Sequence, residues 1–393
     1  MRKNLLLVAG EASGDLYGAA LAREIRRLDP SVLLWGCGGD RMAAEGVEII
    51  YPIREFSVLG FSEVVGRIPF FLGALRRMGR MIEERRPAAA VPIDFPGFNM
   101  RLAARSVRAG VPVAYYVSPQ VWAWGRGRVA RLRRLVREML VILPFEEDFF
   151  LDAGVPVRFT GHPLVDLARP VEEEDDFRRR IGAAEGERVV GLFPGSRRQE
   201  VSALLPAMAE TARRLREEGF PVRPVIGAAP TLEDDVYRDA LGGEGPLLLR
   251  DRSYDLLRAS AFAFVASGTM TVEAAVLGTP MAILYRVSAL SYAIGRALVR
   301  VPHVGMVNLL AAYAEGGWTP ARGGDSGERV APEFLQGDAE PEKLLPVARE
   351  WLRKPEELAA IRERLRAVHA VLGGGGASAR AAEAVLRIAG EKW

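Results

Sequence analysis

The stretch GLFPGSRRQEV, residues 191–201, decides the fold. It continues an apolar run, 189–193, that has the length and composition of a buried strand. Pro-Gly at 194–195 breaks this run, and a helical pattern begins near Gln199. A buried strand that passes through a tight turn into a helix is the repeating unit of a parallel sheet covered by helices.

The same unit recurs along both halves of the chain. The predicted strands cover 5–9, 32–35, 47–50, 88–93, 113–117, 139–142, 189–193, 222–227, 247–249, 262–266 and 281–284. A polar, charged segment at 169–176 is typical of a linker. The alternation predicts an α/β protein with two Rossmann-like domains, 1–168 and 169–355, whose parallel sheets face a cleft. A helical C-terminal segment, 356–393, follows them.

Composition limits the classes of function. The 393 residues suffice for two or three domains, and no run of eighteen apolar residues predicts a membrane span. The single cysteine, Cys37, excludes an internal disulfide and is typical of a reducing cytoplasm. A net charge of only +3 gives no reason to expect nucleic-acid binding.

The turn after the strand at 189–193 favours an anion. Gly195 lets the backbone approach a ligand closely, Ser196 offers a small donor, and Arg197 adds a guanidinium group. The unpaired N–H groups at the start of the following helix attract negative charge. An ordinary strand–helix turn capped by Ser196 explains the same residues equally well.

A second turn of this kind follows the strand at 262–266. Ser267, Gly268 and Thr269 place small donors before a helix, and Glu273 lies one turn further along. The two turns together predict one diphosphate–ribose ligand, with Glu273 at the ribose hydroxyls; the alternative is that Glu273 only complements the helix dipole. The chain lacks both the dinucleotide fingerprint G-x-G-x-x-G and the P-loop pattern, so a nicotinamide cofactor or an ATPase site is disfavoured.

Asp94 is the candidate catalytic residue of the first half. It ends a predicted strand and enters a loop with Phe95 and Phe98. Partial desolvation raises the proton affinity of a carboxylate and suits a general base. The alternative is a loop carboxylate that only binds nearby backbone N–H groups.

Other polar residues of the first half are candidates for acceptor binding. Glu11, Ser13 and Asp15 follow the first strand, where they form either a substrate loop or a helix cap. Trp122 follows another strand and either stacks on a ligand or packs between helices. His162 is a structural hydrogen bonder, a substrate contact or a base that competes with Asp94.

An apolar segment at 56–72 indicates a lipid partner. Its large side chains include Leu59, Phe61, Phe70 and Phe71. An exposed apolar patch of this size usually binds something. The basic amphipathic pattern at 126–137 either rests on an anionic membrane surface or simply faces the core.

The chain resembles the lipid-A-disaccharide synthases, inverting glycosyltransferases of the GT-B fold. The shared segments are AGEASGD (9–15), IDFPGFN (93–99), YVSPQVWAW (116–124), LPFE (143–146), GHPLVD (161–166), PGSR (194–197), ASGTMTVE (266–273), NLL (308–310) and PEFLQ (332–336). Their joint order is far more specific than any one of them. A glycine-rich stretch at 316–328 is longer than the resemblance leads us to expect, and we predict a mobile loop there.

The resemblance implies a reaction. The donor would be UDP-2,3-diacylglucosamine, the acceptor 2,3-diacylglucosamine 1-phosphate, and the products a β-1,6-linked disaccharide and UDP. It implies peripheral attachment to the cytoplasmic face of the inner membrane and a homodimer whose C-terminal segments either pack back on the first domain or are exchanged.

The resemblance also implies roles for individual residues. Asp94 takes the place of the essential aspartate, Arg197, Glu273 and Asn308 lie near the nucleotide, and Asn99 falls in the acceptor region. Glu333 and Gln336 are further candidates. No Asp-x-Asp pair ends a strand, so we expect neither a metal nor a cofactor.

Two other classes of function remain open from the sequence. One is another UDP-sugar enzyme of the GT-B fold, either a glycolipid transferase or a UDP-N-acetylglucosamine 2-epimerase. The other is a non-catalytic protein that binds a UDP-sugar. The apolar segment favours a lipid substrate over a soluble sugar, and Asp94 beside an intact 194–197 turn favours catalysis.

Overall fold

Short apolar runs form parallel strands throughout both halves of the chain. The computed structural model describes residues 3–56 and 66–391. Its strands are β1 (Asn4–Val8), β2 (Leu33–Gly38), β3 (Glu48–Pro52), β4 (Ala89–Pro92), β5 (Ala114–Tyr116), β6 (Glu138–Val141), β7 (Val157–Phe159), β8 (Arg188–Phe193), β9 (Val222–Gly227), β10 (Leu247–Leu249), β11 (Ser260–Ala266), β12 (Met281–Tyr285) and β13 (Glu333–Leu335). The central strands are buried almost throughout, because helices cover both faces of each sheet.

Helices alternate with the strands. They are α1 (Ala12–Leu28), α2 (Asp40–Ala44), α3 (Ile68–Arg85), α4 (Pro96–Arg108), α5 (Val129–Leu135), α6 (Pro144–Asp152), α7 (Leu164–Leu167), α8 (Glu174–Arg180), α9 (Arg198–Glu217), α10 (Asp234–Leu241), α11 (Ser253–Ala259), α12 (Thr269–Val276), α13 (Ala289–Leu298), α14 (Met306–Ala314), α15 (Pro341–Arg353), α16 (Pro355–Val371) and α17 (Ala377–Gly390). No helix among the described residues is long and apolar enough to cross a membrane.

The chain divides into two units. The first combines the residues up to Asp166 with those from Leu372 onward, and the second is Leu167–Val371. Helix α16 therefore belongs to the second unit, although the sequence pattern predicts one C-terminal segment over 356–393. Only the part after Val371 joins the first unit.

The first unit has the strand order β3-β2-β1-β4, continued by β5-β6-β7. Two isolated parallel bridges, Ala90 with Val113 and Ile93 with Tyr116, connect β4 to β5. The sequence pattern does not predict β7, because this strand has only three residues, one of which is Arg158, and so shows too little apolar character. In this unit β2 and β3 lie on one side of β1 and β4 lies on the other, so the strand order reverses between β1 and β4.

The second unit has the strand order β10-β9-β8-β11-β12-β13, all parallel. This is the order of a Rossmann sheet, with the reversal between β8 and β11. Strand β13 was also missed, since it is three residues long and begins with a glutamate. The core fills with side chains such as Phe262, Phe264 and Trp351, whose rings meet edge to face.

The last helix completes the first unit. Ala381, Val385 and Ile388 of α17 are buried, and the helix packs against α1. Asp166 caps it: the N–H groups of Gly376 and Ala377 donate to Asp166 Oδ2 over 2.7 and 3.2 Å. In this chain the segment thus packs on its own unit; its exchange with a partner stays a prediction.

Candidate functional site

Both groups of candidate residues lie at the switch point of a sheet. In the first unit, Glu11 follows β1 and Asp94 follows β4, and these strands are neighbours. In the second unit, the 194–197 turn follows β8 and Ser267 follows β11, again neighbouring strands. Ligands of open parallel sheets bind at this position, outside the carboxyl ends of the strands where the strand order reverses.

Asp94 carries a carboxyl group with a strongly altered proton affinity. Burial raises the pKa of Asp94 to about 7, and the nearby Glu11 carboxylate acts in the same direction. A hydrogen bond from the Phe95 N–H group opposes this shift. A carboxyl group that titrates near neutral pH can accept a proton from a substrate hydroxyl and release it again.

The backbone around Asp94 is strained. Asp94 and Phe95 have φ of 46° and 49°, and Val117, a β-branched residue, has φ of 58°. Such left-handed residues cost on the order of 1–3 kcal/mol each and cluster at functional sites. The three are linked, since the Asp94 N–H lies 3.2 Å from the Val117 carbonyl oxygen and 3.0 Å from that of Tyr116.

Two buried side chains hold this loop in place. Asn99 Nδ2 donates to the Asp94 carbonyl oxygen over 2.8 Å and to the Val8 carbonyl oxygen over 3.1 Å. The Tyr115 hydroxyl donates to the same Asp94 oxygen over 2.8 Å. Asn99, predicted to bind the acceptor, is fully buried and uses its amide N–H groups on the backbone. We therefore assign it a positioning role.

Six aromatic rings form one cluster that includes Phe95, the residue after Asp94. This aromatic cluster consists of Tyr51, Phe56, Phe70, Phe71, Phe95 and Phe98. Phe70 and Phe71 come from the apolar segment singled out in the sequence, whereas Leu59 and Phe61 lie outside the described residues. Ile68 and Leu72 of the same segment are 46% and 43% exposed. The segment that indicates a lipid partner thus packs directly on the loop of Asp94.

Gly10→Ala is expected to destabilise the first unit by about 1–3 kcal/mol, because overpacking at a filled site costs that much. A methyl group there would lie 2.7 Å from Phe95 Cε1 and closer still to two other atoms of that ring. Urea unfolding measures the effect. Gly97→Ala is the matched control, since no atom lies within 4 Å of its added carbon. Equal stability of the two variants would contradict the packing argument.

The remaining candidates after β1 differ in exposure. Glu11 is exposed at the N-terminus of α1, and Ser13, the second residue of the helix, is half-buried. Asp15 is buried, and its oxygens accept from the N–H groups of Gly39 and Met42 over 2.6 and 3.1 Å. Since these bonds cap α2, we keep Glu11 and Ser13 as acceptor candidates and leave Asp15 out.

A second titrating carboxyl group lies near Asp94. Glu146 is buried and accepts from Ser118 Oγ over 2.6 Å and from Trp122 Nε1 over 2.9 Å. Burial raises the pKa of Glu146 to about 7, with a smaller contribution from the charge of Asp94. Trp122 is only 2% exposed, so it packs and anchors Glu146 instead of offering a stacking surface. Glu146 ends the LPFE motif, and the sequence alone indicates no role for it.

His162 is poorly suited to accept a proton. It is buried, and burial lowers its pKa to about 3. Its Nδ1 accepts from the Leu164 N–H over 3.2 Å, so the neutral ring carries its proton on Nε2. Of the two candidate bases in the sequence, Asp94 is therefore the one whose proton affinity fits.

The 194–197 turn already holds a carboxylate. Glu200 Oε2 accepts from the N–H groups of Ser196 and Arg197 over 3.0 and 3.2 Å, and Arg197 Nη1 lies 3.1 Å from Glu200 Oε1. Gly195 has φ of 112°, which favours glycine, and a side chain there would strike Glu200. The N–H groups at the start of α9 thus donate to the carboxylate of a capping box, and a diphosphate would have to displace Glu200 or share these donors with it.

The neighbouring turn is exposed at its tip. Gly268 has φ of 151° and Thr269 begins α12 with an exposed side chain. Ser267 Oγ donates to the Val304 carbonyl oxygen over 3.3 Å. Glu273 is half-buried one turn into α12, with Tyr254 Oη 3.5 Å from its Oε1. These side chains line the second half of the switch point, next to the strand end that bears Arg197.

Asn308 and Glu333 form one hydrogen-bonded group. Asn308 Nδ2 donates to Glu333 Oε1 and to the Ala331 carbonyl oxygen, each over 2.8 Å. Glu333 also accepts from the N–H groups of Val304 and Gly305, over 3.1 and 2.9 Å, and so holds the loop that precedes α14. The group fixes the 304–305 loop against Ser267. Asn308 is thus placed to position the site, while its own amide is used within the protein.

The side-chain amide of Gln336 is likewise used within the protein, on the backbone of Val287. Its Oε1 accepts from the Val287 N–H and its Nε2 donates to the Val287 carbonyl oxygen, both over 2.8 Å.

The glycine-rich stretch at 316–328 folds on the second unit, because Thr319 pairs with Gly323 and Trp318 is buried. Among the residues described, no group of three or more His, Cys, Asp or Glu side chains could hold a metal ion.

Two units, each with a parallel sheet of Rossmann type, define the GT-B fold. The solved structure of the calicheamicin glycosyltransferase matches 100% of this chain and 99% of its own, with a TM-score of 0.60 and 15% identity. UDP-GlcNAc 2-epimerase from Neisseria meningitidis, bound to UDP-GlcNAc, matches 98% and 100%, with a TM-score of 0.62 and 12% identity. At these identities the likeness shows the fold, and it confirms the GT-B prediction.

The sequence comparisons identify the family. The model of the lipid-A-disaccharide synthetase family matches residues 5–370. Lipid-A-disaccharide synthase of Myxococcus xanthus (strain DK1622) is 41% identical over 388 residues, which are 98% of this chain and 97% of that relative. The chain belongs to the lipid-A-disaccharide synthase family, and the resemblance found in the motifs is confirmed.

Proposed function

We propose that this chain transfers 2,3-diacylglucosamine from its UDP conjugate to 2,3-diacylglucosamine 1-phosphate. The oxygen of the acceptor 6-hydroxyl bonds to the anomeric carbon of the donor. The bond between that carbon and the diphosphate oxygen breaks, and UDP leaves with the electron pair. The hydroxyl proton passes to Asp94. The products are the β-1,6-linked lipid A disaccharide and UDP.

The observation that carries the proposal is the carboxyl group of Asp94 at a sheet switch point. Its pKa of about 7 makes it a stronger base than an ordinary aspartate, and it is held on a strained loop by Asn99 and Tyr115. General-base assistance of this kind typically contributes about 10²–10⁴-fold to the rate. The aromatic cluster supports an acylated acceptor, because it offers apolar surface beside the base.

In the proposed donor site, the second unit binds UDP. Arg197 and the N–H groups at the start of α9 stabilise the charge that develops on the departing diphosphate. Ser267 and Thr269 offer further donors, and Glu273 accepts from the ribose hydroxyls. The same contacts make a divalent ion unnecessary. Turnover that is lost in a chelator and restored by magnesium would contradict this part of the proposal.

Peripheral attachment to the cytoplasmic face of the inner membrane completes the proposal. Ile68 and Leu72 are exposed beside the aromatic cluster, and Arg76, Arg77 and Arg80 follow on α3 with exposed side chains. Apolar side chains flanked by cations suit an anionic lipid surface. We further propose a homodimer, as the family resemblance implies.

The value of kcat/KM is expected to rise with pH and level off above about pH 7. Asp94 accepts a proton only when ionised, so a pKa of about 7 leaves about a tenth of the enzyme active at pH 6. Initial rates at subsaturating substrate between pH 5 and 9 measure it. A flat profile from pH 5 to 8 would contradict Asp94 as the base.

One assay separates this function from its alternatives. Purified protein is mixed with both diacylated substrates in detergent, and the disaccharide and UDP are followed by mass spectrometry. A parallel reaction contains UDP-N-acetylglucosamine alone. Disaccharide formation supports the proposal, epimer formation supports the 2-epimerase alternative, and UDP-sugar binding without either product supports a binding protein.

A further inference from the structure

A second polar cavity lies at the opposite edge of the sheet of the second unit. Its volume is about 310 Å³. Four arginines line it, together with the start of β11 and one carboxylate: Arg178, Arg188, Arg258, Arg362 and Glu174. Arg188 begins β8, whereas the 194–197 turn follows the end of that strand. Six residues of strand put about 20 Å between the two places, so this arginine pocket is separate from the proposed donor site.

The four guanidinium groups have no carboxylate partner within 4.0 Å in the part of the chain that the structure describes. Three of them donate to backbone oxygens instead: Arg178 to Glu187, Arg258 to Glu172 and Arg362 to Ala261. Arg258 Nε is buried without any hydrogen-bond partner among these residues. A buried donor without a partner costs about 1–3 kcal/mol, so the pocket holds unused binding capacity.

Nearby acidic groups are engaged elsewhere. The Glu172 carboxylate lies 3.0 Å from both Arg180 and Arg252. Asp255 accepts from the N–H groups of Val171 and Glu172, each over 2.8 Å. Glu174 alone faces four cations in the pocket. An excess of positive charge therefore remains.

The repulsion between neighbouring arginines also indicates that the pocket carries an excess of positive charge. Burial and the charge of Arg188 both lower the pKa of the Arg362 guanidinium group. The Glu174 carboxylate opposes this shift without cancelling it, so the positive charge of the pocket is only partly balanced. A bound anion would balance the rest, and guanidinium groups bind phosphate oxygens in pairs.

We propose that the arginine pocket of the second unit binds a phosphate group, either as inorganic phosphate or on the headgroup of an anionic lipid. Arg258 and Arg362 hold it from the inner wall, and Arg178 and Arg188 close over it from the rim. The site does not depend on the proposed transferase reaction. It gives the second unit its own means of sensing phosphate or of contacting an anionic surface.

Calorimetry of the full chain with inorganic phosphate tests the site. Saturating UDP is present throughout, so that the proposed donor site is filled. We expect phosphate to bind, and the double variant Arg258→Gln/Arg362→Gln to bind it at least tenfold more weakly. Arg188→Gln, at an exposed strand start, should bind severalfold more weakly without affecting folding. Arg216→Gln, an exposed arginine of α9, is the matched control.

Flotation with vesicles distinguishes the two sources of phosphate. One set contains phosphatidylcholine alone and the other phosphatidylcholine with phosphatidic acid. Flotation that needs phosphatidic acid and is lost in the double variant, but not in Arg216→Gln, assigns the pocket to a lipid headgroup. Phosphate binding without such flotation assigns it to free phosphate. If the wild type binds neither, or the arginine variants bind as the wild type does, the proposal is wrong.

Discussion

Asp94→Asn is expected to lower kcat by about 10²–10⁴-fold, the usual contribution of a general base. The amide has nearly the shape of the carboxylate, and asparagine tolerates the left-handed backbone that this position requires. The loop should therefore remain folded while the base is lost. Single-turnover assays with saturating substrates measure the chemical step directly.

Two controls make this result specific to the base. UDP affinity should be unchanged, because Asp94 lies in the first unit and the proposed nucleotide contacts in the second. His162→Asn should keep kcat within a few-fold, since a buried histidine with a pKa of about 3 is not the base. Loss of UDP binding in Asp94→Asn would show a structural role instead. Full activity of Asp94→Asn would remove the residue from the mechanism.

Arg197→Ala is expected to weaken UDP binding by about 10- to 100-fold. Hydrogen bonds to a charged group contribute about 1.5–3 kcal/mol, and each 1.4 kcal/mol is a factor of ten. The guanidinium group lies 3.1 Å from Glu200 in this structure, so it already holds an oxyanion at the start of α9. Calorimetric titration with UDP measures the loss.

The neighbouring residue provides the matched control. Arg198 points its guanidinium group toward Asp235 and Asp239, at 3.9 and 3.7 Å. Arg198→Ala removes the same charge from the next position, yet it should change UDP affinity by less than about threefold, because exposed ion pairs contribute little. Equal losses in both variants would indicate a general effect of charge. Unchanged affinity in Arg197→Ala would place the diphosphate elsewhere.

The sequence predicted the fold well because its signals are local. Apolar runs of four to seven residues mark the central strands, and small residues such as Gly195 and Gly268 mark the turns that follow them. These turns follow neighbouring parallel strands and therefore lie side by side, so no other sequence signal is needed to predict their proximity. The short edge strands β7 and β13 were missed because edge strands need fewer apolar residues and show little contrast with loops.

The roles of polar side chains were less predictable. Asp15 and Gln336 have the chemistry of ligand contacts, yet the structure uses them on backbone groups. Conversely, the LPFE motif does not reveal the role of Glu146, because nothing local shows that Ser118 and Trp122 will converge on it. Whether a polar atom is free for a substrate depends on residues far away in the chain, which spacing does not reveal.

The position of α17 has a consequence for synthesis. The ribosome releases residues up to Asp166 first and the whole of the second unit next, and only then the helix that buries Ala381, Val385 and Ile388 against α1. The apolar surface of the first unit that α17 covers therefore stays exposed while about two hundred further residues are synthesised. We therefore expect chaperones to bind the unfinished chain at this surface. An N-terminal fragment expressed by itself should aggregate.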